Sequence, residues 1–375
     1  MDGRLSEARP AAATSLLRVP ELDGLRAIAA LGIVVFHSGF QDRLYWLWPL
    51  VDLFFVLSGY LITSLLLQGP RDTGTYLRRF WARRILRIWP VYFLGLLSVL
   101  AILAIKPLLN GKPNAPYEGL WSSLLFLQFT DLYIWPRPLA AVEANFMPWW
   151  GHSWSLAVEE QFYMLWPLLL LALRSRPARL LPVCVLLLVA ALVARSLGVA
   201  QFLLLTRMDG LALGAVIAVL AHDCVGVSPL QRSRIYAAAA LLAAGPVLAY
   251  VLFGWSLPVY QSPSTVSPHP LLVSAFSLLF FALVGIIVTL RPRSLRWLAQ
   301  PALVWLGLIS YAVYMLHLQI TGVVGMVARM VGFGGPEAAP LRLVVTILLC
   351  IVAGALVRWL VELPLDRLKR RVPWG

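Results

Sequence analysis

Ten apolar runs long enough to cross a bilayer follow one another along this chain, at roughly 22–40, 45–67, 88–109, 153–173, 180–198, 207–222, 235–253, 271–290, 302–327 and 342–361. Hydrocarbon offers a backbone no hydrogen-bond partners, so a spanning segment must be a helix or a strand of a closed barrel. Runs this long and continuous are helical. The chain is 60% hydrophobic and 13% charged, where a soluble domain is about half apolar and a quarter charged. The expected fold is therefore an all-α integral membrane protein of about ten transmembrane helices. Its three cysteines supply no disulfide framework. The first run lacks a small-residue cleavage site and reads as an uncleaved anchor.

A net charge of +14 would suggest a nucleic acid only if its placement were ignored. With the N-terminus inside, the inner segments and helix ends hold 23 of the 31 Lys and Arg residues. That asymmetry orients the chain with both termini in the cytoplasm, and no nucleic-acid partner is implied. Trp121 to Phe129 is apolar but short. Counted as a span it would place the basic loop 174–179 outside, so it reads as re-entrant or interfacial within an external segment 110–150. The Pro- and Ser-rich stretch 254–270 reads as an external loop. The division is a cytoplasmic tail at 1–20, a membrane domain at 21–364 and a basic cytoplasmic tail at 365–375.

Within this apolar frame a few ionisable residues stand out. The first run, ELDGLRAIAALGIVVFHSGF, contains Arg26 and His37. Eleven residues apart, they share one helical stripe and lie about 16 Å apart along the axis. Arg26 can snorkel to the interface, whereas His37 is too deep and marks a functional candidate. The cytoplasmic segment TYLRRFWARRILRIWPVY puts Arg79, Arg83, Arg84 and Arg87 on one side and Trp81, Ile85, Ile88 and Trp89 on the other. It reads as an amphipathic interfacial helix ended by Pro90. Its arginines suit anionic headgroups, or Arg84 and Arg87 grip the phosphates of a soluble ligand.

Three further segments carry polar groups into spans. In GHSWSLAVEEQFYMLWP, His152 shares a face with Ser155, Glu159, Tyr163 and Trp166, and Glu159 and Glu160 cannot both face lipid. An ion pair is the structural alternative there. In SYAVYMLHLQI, Ser310, Tyr314, His317 and Thr321 form a polar stripe, and His317 alone reads equally as a hydrogen-bonded bundle histidine. In TRMDGLALGA, Arg207 and Asp209 read as a pair capping a helix end.

Taken in order, these segments resemble acyltransferase family 3, the bacterial integral-membrane O-acyltransferases. The motifs are LDGLRAIAALGIVVFH with its Arg-x10-His, DLFFVLSGYLIT, the Arg-x-x-Arg of RRILRIWP, HSWSLAVEEQFYMLWP, RMDGLALGA, ISYAVYMLH and a terminal VELP. They cover about residues 21 to 364. Many relatives add a C-terminal esterase-like domain, and this sequence resembles the stand-alone form.

The resemblance implies transfer of an acyl group, usually acetyl, from cytoplasmic acyl-coenzyme A to a hydroxyl of a carbohydrate. Acceptors in the family include envelope glycans such as lipopolysaccharide, lipid-linked sugars, exopolysaccharides and glycosylated metabolites. It further implies a multi-pass protein of the bacterial inner membrane, with acetyl-coenzyme A as cosubstrate, no permanently bound cofactor and no metal. Arg26, Arg84 and Arg87 would bind the donor. His37 would act as general base or as nucleophile, with Glu159 orienting a histidine or binding sugar. His152, Asp209, Tyr314 and His317 complete a candidate polar core. The His-x4-Asp spacing of His37 and Asp42 also occurs in glycerolipid acyltransferases, but there it belongs to an α/β surface fold. A multi-span transporter of a sugar or organic acid is the rival class, and a non-catalytic scaffold on the same fold is a third.

Overall fold

The computed structural model describes residues 19–68, 73–110, 120–128, 147–173, 177–253 and 269–369. The tail before residue 19, most of the external stretches 110–150 and 254–270, and the end of the basic tail lie outside the described residues. Helix α1 (Pro20–Val35) ends in a π-turn at Phe36–Phe40. It is followed by α2 (Leu50–Leu67), α3 (Thr73–Asn110) and the short α4 (Leu120–Leu124). The single turn α5 (Met147–Trp150) leads through a 3-10 turn at Gly151–Ser153 into α6 (Trp154–Ala172). Then come α7 (Leu180–Ser196), α8 (Leu204–Ala221), α9 (Pro229–Phe253), α10 (Pro270–Leu290) and α11 (Pro301–Met330). Finally α12 (Ala339–Val357) passes through a π-turn at Arg358–Glu362 into α13 (Leu363–Lys369).

Among the described residues, nine helices are long and apolar enough to cross a membrane. The remaining expected span is α6. Its Glu159-Glu160-Gln161 run keeps it out of that set, yet its 19 residues rise about 28 Å, close to the hydrocarbon thickness. The apolar run beginning at Trp121 forms only the five-residue α4, far too short to span.

One boundary differs from expectation. The basic amphipathic segment is not a separate helix ended by Pro90. It is the first part of the continuous 38-residue α3, which carries both Pro90 and Pro107 inside it. Proline is tolerated in a membrane helix where neighbours satisfy the loosened backbone. The Tyr311 hydroxyl packs beside this turn and donates to the Ile88 carbonyl, 2.9 Å away. Ile88 is accordingly buried and does not lie with exposed Ile85 on an apolar outer face.

Lipid replaces water as the solvent of the outer surface. Leu241 and Leu242 on α9 are 77% and 72% exposed, which only an apolar surrounding tolerates at this density. Interior packing therefore relies on close backbone approach rather than on a hydrophobic contrast with solvent. Where α2 crosses α8, a Cβ on Gly59 would overlap the Leu211 carbonyl oxygen, and one on Gly214 would overlap that of Val56. Gly59→Val is expected to cost about 3 kcal/mol or more by overpacking, seen as a lowered melting temperature of the detergent-solubilised protein. An unchanged melt would mean the two backbones do not meet this closely.

Candidate active site

Helices α1, α2, α3, α6 and α11 surround a cavity with about 110 Å³ open to the centres of water-sized molecules. A water needs about 10–15 Å³ by that measure, so the space suits a thin chain. Three cations line it: Arg26 from α1, and Arg84 and Arg87 from consecutive turns of α3. Glu159 also lines it, accepting hydrogen bonds from Ser58 at 2.7 Å and from the Tyr163 hydroxyl at 3.0 Å. Among the described residues no ion pair joins Glu159 to these arginines, and the buried Nε of Arg84 has no hydrogen-bond partner. The result is a cluster of three guanidinium groups around a single carboxylate, with positive charge in excess along the cavity wall. That arrangement favours a multiply charged anion such as a phosphate.

Ser155 and Tyr314 line the same cavity, and they form its wall towards a histidine cluster. Their hydroxyls lie 2.6 Å apart, and the Tyr314 ring stands 5.3 Å from that of His152 and 5.5 Å from that of His317. His317 Nδ1 lies 2.6 Å from the Tyr314 carbonyl oxygen. A carbonyl only accepts, so in the neutral ring Nδ1 carries the proton and Nε2 is an acceptor. That Nε2 lies 3.1 Å from His37 Nδ1, which also approaches the Ile33 carbonyl at 3.1 Å. Both contacts require the proton of His37 on Nδ1. Its Nε2 is then an unprotonated lone pair with no hydrogen-bond partner among the described residues.

The backbone serves this placement. His37 sits in the π-turn that ends α1, where Gly39 adopts φ +90°, a left-handed conformation that glycine enters without strain. Such π-turns are frequent at functional sites. His152 donates from Nε2 towards the Met315 carbonyl at 3.2 Å, and its buried Nδ1 has no partner among the described residues. Its ring lies 4.8 Å from that of His317.

A family model described as an acyltransferase domain matches residues 19–359. The chain belongs to acyltransferase family 3. It is a multi-pass membrane protein. It is 36% identical to the Bacillus subtilis protein named "Putative peptidoglycan O-acetyltransferase YrhL" over 196 residues, 48% of this chain and 28% of that one. Against "Peptidoglycan O-acetyltransferase OatA" of Listeria monocytogenes the identity is 35% over 41% of this chain and 24% of the relative. Against "Putative O-acetyltransferase SACOL0978" of Staphylococcus aureus it is 41% over 41% and 25%. The matched stretch is thus about a quarter of each relative's own length. No solved structure matches the chain.

Several of the motif residues shared with acyltransferase family 3 converge. Arg26, Arg84, Arg87, Glu159 and Tyr314 line one cavity, and His37, His152 and His317 cluster behind its Tyr314 wall. Glu159 touches Ser58 and Tyr163 rather than a histidine. The neighbouring Glu160 is also buried, with Oε2 accepting from the Trp89 indole at 3.3 Å.

Asp209 stands apart from the histidines, and it does not pair with Arg207 as the sequence suggested. Two residues apart on one helix, their side chains diverge by about 200°. Asp209 instead pairs with Arg195 at 2.7 Å, and Arg207 with Asp52 at 3.0 Å. Ser58 and Tyr311, both lining the cavity, were missed. The signal for Ser58 was a hydroxyl in an apolar run opposite a carboxylate that needed a buried donor.

Proposed function

We propose that this enzyme moves an acetyl group from cytoplasmic acetyl-coenzyme A to a hydroxyl of an envelope carbohydrate, from a site in the bacterial inner membrane. The observation that carries the reading is the adjacency of the three-arginine cavity to the histidine cluster, with Tyr314 lining the one and packed against His152 and His317 of the other. Coenzyme A brings phosphates for Arg26, Arg84 and Arg87 and a thin pantetheine arm for the narrow cavity. The thioester at the end of that arm is delivered towards the histidines. The distribution of Lys and Arg along the sequence puts the arginine end on the cytoplasmic side. Names given to relatives, with peptidoglycan as acceptor, favour a glycan of the cell envelope.

The unprotonated Nε2 of His37 serves either chemical route. As base it takes the acceptor hydroxyl proton while the oxygen bonds to the acyl carbon and the carbon–sulfur bond breaks. The proton then passes to the departing thiolate, giving coenzyme A thiol and the ester. As nucleophile its Nε2 bonds to the acyl carbon while the carbon–sulfur bond breaks and thiolate leaves. The acceptor oxygen then bonds to that carbon as the carbon–nitrogen bond breaks, and the acceptor's proton passes to the thiolate.

The test is initial-rate kinetics of the full chain in lipid nanodiscs, with thiol release and glycan acetylation both followed. Acetyl-coenzyme A and peptidoglycan strands are expected to give both products in equal amounts. Arg84→Ala with Arg87→Ala is expected to raise the donor KM about 100-fold, at more than 1.4 kcal/mol per lost charge-assisted contact, and to leave the acceptor KM near its original value. An unchanged donor KM would return that segment to headgroup binding alone.

A further inference from the structure

A second cavity lies at the opposite end of the bundle and is far larger, with about 760 Å³ open to water-sized molecules against about 110 Å³ in the first. Its walls include Lys106 near the end of α3, Trp149 on α5, and Thr321 and Arg329 on α11. Lys106 is 22 residues beyond Arg84 on one continuous helix. That is about 33 Å of rise, the thickness of the hydrocarbon layer. The two cavities therefore address opposite faces of the membrane.

They approach the same histidine. On α11, Tyr314 lines the first cavity and Thr321 the second. His317 lies between them at helical spacings of three and four, so all three share one stripe. The nearer edge of each cavity is then about 4.5–6 Å from His317 along the axis.

The walls of the second cavity have a definite chemistry. Gly322 leaves room for Trp149, since a Cβ there would overlap the indole. The indole is thus laid against α11 as a rigid aromatic surface. A Cβ on Gly325 would meet Arg329 Nη1 at 3.7 Å, so the guanidinium folds back along the helix over the cavity wall. Neither Lys106 nor Arg329 has a hydrogen-bond or ion-pair partner among the described residues. The buried Thr321 hydroxyl also lacks one. An aromatic plane, two unpaired cations and a free hydroxyl are groups that recognise a sugar ring bearing an anion.

We propose that this outer cavity is the acceptor site, and that it selects a sugar carrying a carboxylate or phosphate, with the ring against Trp149 and the anion held by Lys106 and Arg329. The inference rests on the acyl-transfer reading and adds to it the side of the membrane and the charge of the acceptor.

The experiment is equilibrium binding to the full chain in phosphatidylcholine nanodiscs, using labelled tetragalacturonate and its carboxyl-reduced, neutral counterpart. The unsubstituted protein is expected to bind the acidic form about tenfold tighter or more. Lys106→Gln with Arg329→Gln removes that preference, and Trp149→Ala weakens both forms. Acetyl-coenzyme A binding and the melting temperature serve as folding controls for each variant. No preference, or a preference that survives the double substitution, overturns the proposal. So does a preference that disappears when phosphatidylglycerol is added, because the cations would then serve lipid headgroups. If the protein neither binds acetyl-coenzyme A nor releases its thiol, the acyl-transfer reading fails, and the glycan measurement still decides whether this cavity is a sugar site.

Discussion

Replacing His37 with alanine is expected to lower acyl transfer by about 10²–10⁴-fold, the range for loss of a positioned general base. Membrane insertion and melting temperature should stay close to those of the unsubstituted protein, because among the described residues the ring makes only two hydrogen bonds, and it sits at the end of its helix. The same geometry makes a graded prediction for its partner. His317 accepts from His37 Nδ1 and thereby fixes the tautomer that leaves Nε2 free. When Nε2 takes a proton, the Nδ1 proton is already held by an acceptor, which stabilises the imidazolium. His317→Gln keeps a side-chain oxygen able to accept that bond, whereas His317→Leu removes it. The rate should therefore fall further with Leu than with Gln, at unchanged donor KM. Activity of His37→Ala within about tenfold of the original would remove this ring from the chemistry.

Arg26, His37, Arg84 and Arg87 were legible in the sequence because charge within or beside an apolar run has few places to go. Their helices could be read from length alone, and their relative heights follow from 1.5 Å per residue. What the sequence lacked was the rotation of each helix about its neighbours. Glu159 and His152 share a face of one segment, and the family resemblance implied a carboxylate that orients a histidine or binds sugar. In the fold the 3-10 turn at Gly151–Ser153 sets His152 off the α6 helix, and α2 brings Ser58 to the carboxylate first. Pro90 misled for a related reason, since whether a proline ends a helix depends on the neighbours packed around it and not on the segment alone. The outer cavity was invisible. Lys106 and Arg329 each read as a charge near an outer helix end, and only the meeting of α3, α5 and α11 makes them walls of one space.

Arg207 supports the second large prediction, on stability rather than rate. The residue is 1% exposed, and its partner Asp52 is fully buried. One guanidinium nitrogen reaches both Asp52 oxygens, at 3.0 and 3.2 Å, and the other two donate to the Gln201 carbonyl and side chain at 2.8 and 3.0 Å. The plane of charge also rests 5.2 Å from the Trp154 ring centre and 5.6 Å from that of Trp48. Asp209 and Arg195 form a second buried pair, tied further to Ser274. Removing one member of such a pair strands the other charge in a low dielectric, so Arg207→Ala is expected to cost about 3–5 kcal/mol. Replacing both members by apolar residues of similar volume leaves no orphan. Asp52→Leu with Arg207→Met should therefore recover most of that loss, although Gln201 then loses its donors and about 1 kcal/mol per unmade bond. Thermal melts of the three proteins in one detergent read the cycle directly. Equal loss in the single and double variants would show that the site is held by the packing of Trp48 and Trp154 on the guanidinium rather than by the opposed charges.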